Sequence, residues 1–349
     1  MGGRRVQHRG GTQRRESAAP ASRRTRERRG LRERNATSRP GDARHGEDVQ
    51  RGPPRAEAAH LPPLHGRGPQ DSRRGGDRRA HRRHDPRLGL RRLGRHHVQL
   101  RIEHAGITRT CRVYRPVRLS SRPGLVVLLH GAVGSGAEFA VDTRFDGDAD
   151  RLGWVAAYPD ALNPGPFGGW DTFACCPNEY DDVGFIAALV SQLVGDHAID
   201  PHLAFVAGFS RGGMMAHRLG CELSGLLAGI AVVAGNMADP SGDVDGVPCA
   251  PTRPISVLII HGSDDRNVPV EGGTSADYPD QVSYAPLSDV VRRWRRSNGC
   301  TKFAEVRQEG DVTIRRWEGD APVELRLVVG GGHEWFPGAG TAIADFFAG

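Results

Sequence analysis

Residues Gly208-Phe209-Ser210-Arg211-Gly212-Gly213 set a serine two positions from a glycine on either side. A serine hydroxyl is a poor nucleophile. It needs a base to take its proton and an acid to orient that base. Candidates for both lie downstream. The apolar run Val257-Leu258-Ile259-Ile260 leads into His261-Gly262-Ser263-Asp264-Asp265, and Leu325-Arg326-Leu327-Val328 leads to Gly330-Gly331-Gly332-His333-Glu334-Trp335. His333 is the one histidine beyond His261. Such a set supports acyl transfer through a covalent acyl-serine.

The serine follows a strand pattern at 203–207 and opens a helical pattern near 211–223. G-x-S-x-G in that setting is a nucleophile elbow, in which acid and base follow in the order Ser, Asp/Glu, His. The turn is tight enough that side chains at 208 and 212 would collide. The acid is expected to be Asp265, with Asp264 as the alternative, because adjacent residues point in different directions. Two N–H donors must meet the developing oxyanion. Arg211, the residue after the nucleophile, supplies one. The loop after Leu128-Leu129, His130-Gly131-Ala132-Val133-Gly134-Ser135-Gly136, is expected to supply the other from Ala132. His130 precedes the nucleophile and is expected to support this loop by hydrogen bonding.

The elements that must position these groups are legible in outline. Residues 98–103 and 110–115 alternate apolar and polar about a turn at His104-Ala105-Gly106, which predicts an antiparallel hairpin with one wet face. Leu125-Val126-Val127-Leu128-Leu129 predicts a strand buried on both faces. Further strands are expected at 154–158, 203–207, 230–233, 257–260 and 325–328, and helices at 182–195, 211–223, 286–296 and 341–348. Alternating strands and helices imply an α/β domain: a mostly parallel sheet with an N-terminal antiparallel hairpin and helices on both faces. Open sheets of this kind bind ligands beyond the carboxyl ends of their strands, where Ser210, Asp265 and His333 would all lie.

Composition divides the chain of 349 residues in two. Residues 1–95 hold 27 Arg against 10 acidic residues and contain no Phe, Trp, Tyr, Ile or Cys. Such a segment has too little apolar surface to offset the entropy of ordering, so 1–95 is expected to be disordered and 96–349 to form the folded domain. A chain starting near residue 96 is expected to keep its fold and activity. The Arg-rich segment lacks aromatics for stacking, so no specific nucleic-acid partner is expected. No run of about 18 apolar residues predicts a membrane span, and no apolar stretch after the basic start predicts a signal peptide. The expected assembly is a monomer. All six cysteines, Cys111, Cys175, Cys176, Cys221, Cys249 and Cys300, fall in the folded part. At least one disulfide is expected, with Cys249–Cys300 as the favoured pair because the two flank the region of Asp265.

The ordered set LLHG, WVAAYPD, DDVGFI, GFSRGGMMAHRL, LIIHGSDDRNVP and GGGHEW resembles the polyhydroxybutyrate depolymerase/feruloyl esterase family of α/β-hydrolases, over roughly residues 98–349. The resemblance implies a triad of Ser210, Asp265 and His333, catalysis without metal or other cofactor, and an extracellular or cell-envelope location. It implies an ester substrate, polymeric or small: polyhydroxyalkanoate, feruloyl-polysaccharide or acetyl-polysaccharide. The alternatives are a peptidase or thioesterase on the same fold, or a non-catalytic polysaccharide-binding protein. Residue 211 departs from the family in being Arg, Glu334 replaces a neutral residue, and Phe336 stands where a proline is common, with Pro337 following. Trp335, close to His333, is expected to line a substrate pocket. Trp170 is expected either to line it or to sit in the core. Met214 and Met215 are expected in the core. Asp182 near a helix start suits capping or dipole compensation.

Overall fold

The computed structural model describes residues 96–162, 168–172, 179–238, 248–276, 282–302 and 305–349. The expectation for residues 1–95, and for Cys175 and Cys176, lies outside the described residues. The chain opens with β1 (His96–His104) and β2 (Ile107–Arg115), the antiparallel hairpin expected there. Then come β3 (Leu125–Leu129), α1 (Gly136–Thr143), α2 (Asp146–Leu152), β4 (Val155–Pro159), α3 (Asp182–His197), β5 (Ala204–Phe209), α4 (Arg211–Glu222), β6 (Gly229–Val233) and β7 (Ser256–Gly262). A short pair, β8 (Gly273–Thr274) and β9 (Ser283–Tyr284), precedes α5 (Leu287–Ser297). The last elements are β10 (Glu305–Glu309), β11 (Val312–Trp317), β12 (Val323–Val328) and α6 (Ala339–Ala348).

The main sheet runs β1-β2-β4-β3-β5-β6-β7-β12-β11-β10. Its centre, from β4 to β12, is parallel. Antiparallel strands close both edges: the N-terminal hairpin on one side, and β10 and β11 on the other. All five residues of β3 are buried, and they alternate between two cores. Leu125, Val127 and Leu129 pack beneath α3, α4 and α5, with Leu189, Leu219 and Trp294. Val126 and Leu128 pack beneath α1, α2 and α6, with Phe139, Phe145 and Phe347. The period-two alternation of a strand thus feeds both layers. Each such side chain contributes about 1.5–3 kcal/mol of transfer free energy.

The cysteines correct one expectation. Cys249 is bonded to Cys221 in the last turn of α4, with 4.8 Å between Cα atoms. Cys300 is a free, buried thiol facing the carbonyls of Asn298, Trp317 and Ala321, and Cys111 is free and buried in β2. Spacing along the chain favoured Cys300. The packing of α4 against the loop before β7 brings Cys221 there instead.

Candidate active site

β5 delivers Ser210 into a turn that only a narrow backbone permits. Ser210 has φ 53° and ψ −119°, a region that costs a non-glycine residue of order 1–3 kcal/mol. Its N–H donates to the Val233 carbonyl at the end of β6 (2.9 Å), and its own carbonyl receives the Met214 N–H. A Cβ at position 208 would run into the Gly212 carbonyl, and one at 212 into the Leu129 and His130 carbonyls. Glycine at 208 and 212 is therefore what lets β5, α4 and the end of β3 converge. α4 starts at the next residue, so its first N–H groups face the serine.

Ser210 Oγ lies 2.8 Å from His333 Nε2, and His333 Nδ1 lies 2.9 Å from Asp265 Oδ2. The other carboxylate oxygen, Oδ1, accepts the N–H groups of Asn267 (2.9 Å) and Val268 (2.8 Å). Burial by itself would raise the Asp265 carboxyl. The hydrogen bond from His333, the Val268 N–H and the nearby imidazoles outweigh it and hold the group below the usual carboxylate range. Asp264 points to solvent and accepts only from Ser263 Oγ among the described residues. The two loops are stitched together: Ser263 N–H donates to Val328, Asp264 N–H to Gly331, and Gly330 N–H to Ser263 Oγ.

The loop after β3 abuts the serine. A Cβ on Gly131 would lie 3.5 Å from Ser210 Cβ. His130 is buried and bridges this loop, its Nδ1 2.7 Å from the Gly131 carbonyl while Nε2 receives the Ala161 N–H (3.1 Å). Desolvation lowers its pKa, against the pull of that carbonyl and of Asp160.

Trp335 stands beside the serine row, edge-on to Phe139 with ring centroids 5.2 Å apart. With Phe139, Val141, Asp142, Arg144 and Phe209 it lines an open groove of about 450 Å³. Trp170 lines no part of this groove: it is 0% exposed, and its indole N–H donates to the His130 carbonyl at 3.0 Å. Phe336 is buried against the α6 side of the sheet, so the unusual residue at that position serves the core. Met214 and Met215 are buried as expected.

Arg109 and His261 were given no role by the sequence reading, and Asp182 does more than was expected of it. Arg109 and Asp182 form a buried ion pair at 2.7 Å, with the guanidinium 4.0 Å over the Phe185 ring. Of the two roles expected for Asp182, the helix cap falls to Asp181, which accepts the Gly184 N–H, while Asp182 is the acidic residue in the first turn of α3, where it compensates the dipole. Arg109 shares the strand parity of the buried Cys111 and Val113, and that parity was the available signal. His261 is wholly buried, with Nε2 2.8 Å from the Val268 carbonyl and 3.4 Å from Asp265 Oδ2.

A family model described as Phospholipase/Carboxylesterase matches residues 178–279. Feruloyl esterase B of Piromyces equi is 29% identical over 213 residues, covering 60% of this chain and 39% of that protein. Putative esterase NocK of Nocardia uniformis subsp. tsuyamanensis is 33% identical over 252 residues, covering 66% of this chain and 72% of that protein. The chain thus spans well under half of the first relative and most of the second. The solved structure of an acetyl xylan esterase from Aspergillus awamori superposes with a TM-score of 0.55 at 20% identity, over 72% of this chain and 99% of that one, which speaks for the fold.

Proposed function

Since this chain belongs to the esterases of the α/β-hydrolase superfamily, we propose that it is a serine carboxylic ester hydrolase working through an acyl-enzyme on Ser210. The observation that carries the reading is the unbroken row Ser210 Oγ, His333 and Asp265, with both links under 3 Å. His333 Nε2 takes the proton as Oγ bonds to the ester carbonyl carbon. The carbonyl oxygen becomes an oxyanion facing the N–H groups of Ala132 and Arg211. The intermediate collapses, the alkoxide leaves with the proton from Nε2, and the acyl group stays on Oγ. Water then repeats the sequence: it loses a proton to Nε2, attacks the acyl carbon, and frees the acid as Oγ recovers its proton. Asp265, held ionised, keeps the His333 proton on Nδ1 and stabilises the imidazolium.

The chemistry is assigned to residues 96–349 alone. The substrate class is a polyhydroxyalkanoate, feruloyl-polysaccharide or acetyl-polysaccharide ester, with Trp335 and Phe139 as walls for the acyl or sugar part. The Cys221–Cys249 bond supports work in an oxidising compartment such as the cell exterior. Among the described residues no helix is long and apolar enough to cross a membrane.

Turnover should be measured for wild type and Ser210→Ala on methyl ferulate, acetylated xylan, p-nitrophenyl acetate and short polyhydroxybutyrate. Ser210→Ala is expected to lose at least about 10³-fold in kcat on whichever of these the wild type accepts. An alanine variant as active as wild type would end the reading.

A further inference from the structure

We propose that the segment Gly168–Asp171 is a clamp that holds both oxyanion-hole arms at once, with Trp170 and Arg211 as its positioning residues. The inference rests on the assignment of Ala132 and Arg211 as the two donors.

On the loop arm, the segment grips both sides of Ala132. The Trp170 indole N–H donates to the His130 carbonyl at 3.0 Å. The Gly168 carbonyl accepts the N–H of Val133, the residue after Ala132, at 2.8 Å. The peptide that carries the Ala132 N–H is the one whose carbonyl belongs to Gly131. His130 Nε2 accepts the Ala161 N–H, which leaves the imidazole proton on Nδ1 to donate to that carbonyl at 2.7 Å. A trans peptide is planar, with C=O and N–H on opposite sides, so fixing the carbonyl aims the N–H the other way. Trp170 holds the His130 backbone, and its ring packs 5.3 Å from the imidazole.

On the helix arm, Arg211 turns its side chain away from solvent and is 4% exposed. Its Nε donates to the Trp170 carbonyl at 2.8 Å. Gly169 leaves it room: a Cβ there would lie 2.8 Å from Arg211 Cδ. Two turns further along α4's face, Arg218 donates to the Asp171 carbonyl at 3.0 Å and pairs with its carboxylate at 2.9 Å. The Asp171 N–H donates to Asp182 Oδ2 at 2.7 Å, and Asp182 is paired with Arg109. Trp170 therefore offers its indole N–H to one arm and its carbonyl to the other. This gives the arginine after the nucleophile a purpose: it ties the backbone bearing the second donor to the residue that braces the first.

Preorganised donors act on the oxyanion and not on the ground-state ester, so a loosened clamp should lower kcat and leave KM nearly unchanged. The test uses Trp170→Phe, which keeps a ring and loses the N–H, and Arg211→Met, which keeps the stem and the backbone N–H. Hydrolysis of p-nitrophenyl acetate is measured beside the inhibition constant of an aryl trifluoromethyl ketone. That ketone adds Ser210 Oγ to its carbonyl carbon, passes the proton to His333, and places an oxyanion where the ester's would form. Each variant is expected to lose about 10- to 100-fold in kcat with KM within about twofold. The ketone's affinity should fall by the same factor, and the double variant should lose less than the product of the singles. Folded variants with wild-type kcat and ketone affinity would overturn the clamp. So would losses in KM alone. If Trp170→Phe fails to fold, Arg211→Met decides by the same two readouts. A wild type that ignores the ketone, or a Ser210→Ala that still turns over, would remove the site assignment and the clamp with it. A normal wild type with indifferent variants would remove the clamp alone.

Discussion

Two neighbouring carboxylates, Asp264 and Asp265, meet opposite surroundings within one turn of loop. Asp265 is buried and receives His333 Nδ1–H on one oxygen and two backbone N–H groups on the other. Asp264 faces water. Asp265→Asn would set an amide where the imidazole needs a charged acceptor, and would let the imidazole take the wrong tautomer. That exchange should cost about 10³- to 10⁴-fold in kcat, whereas Asp264→Asn should stay within about twofold. Steady-state rates on one chromogenic ester are enough to rank them, and a larger loss at Asp264 would reverse the assignment of the acid. His261 adds to the argument, because its fixed Nε2–H donation to Val268 braces the turn that presents Asp265. The sequence named Asp265 and favoured Trp335 as a pocket wall, yet it left Trp170 open between pocket and core. Both are tryptophans near glycines, and only packing sets one at 0% exposure and the other along a groove.

Elements with a strong apolar period were legible, and those without were not. β3, β5, β6 and β7 are runs of buried aliphatic residues, and α3 shows Phe185, Ile186, Leu189, Val190 and Leu193 on one face. β10 escaped notice because all five of its residues are exposed, so its sequence EVRQE carries no alternation to read. α1 is only eight residues long, although Ser135 caps its start, with Ser135 Oγ accepting the Glu138 N–H and donating to its carboxylate. A disulfide is present as expected, but its pairing was not legible for a related reason. Pairing is decided by where α4 ends, and nothing in the spacing of cysteines reports that. The Cys221–Cys249 link closes a sequence separation of 28 residues across the end of α4, which by chain entropy stabilises the fold by about 3.6 kcal/mol. Cys221→Ser with Cys249→Ser should lower stability by roughly that amount in a denaturant titration. Peptide mapping without reductant should find Cys221 joined to Cys249, with Cys111 and Cys300 alkylated only after unfolding. A Cys249–Cys300 peptide would contradict the fold at this point.

At the scale of the whole molecule, the sheet and its two helical layers enclose imidazoles that must stay neutral. His130, His217 and His261 are each buried, and desolvation is the leading cause that lowers their pKa. For His217 the value falls to about 3, and the neighbouring His261 adds to the drop. The hydrogen bonds fix their tautomers. Trp294 Nε1–H donates to His217 Nδ1, leaving the proton on Nε2, and His261 donates from Nε2 to Val268, leaving Nδ1 as an acceptor. The sign of the linkage follows. In the unfolded chain these histidines take up protons near pH 6.5, while in the folded protein they do not. Below about pH 6.5 the unfolded state binds more protons, so stability is complete above that pH and is lost as pH falls toward the folded values. The depressed Asp265 carboxyl acts in the same direction, its share disappearing only below about pH 4. Each buried imidazole that stays neutral contributes a slope of up to about 1.4 kcal/mol per pH unit below its unfolded pKa. Unfolding free energies from denaturant titrations should therefore be level between about pH 7 and 8 and decline from about pH 6.5 to 5. His217→Gln keeps an acceptor for Trp294 and removes one titrating ring, so its decline should be shallower by roughly one proton's worth. A wild type equally stable at pH 5 and pH 7, or a His217→Gln with an unchanged slope, would show that these rings do not hold the neutral state that their burial demands.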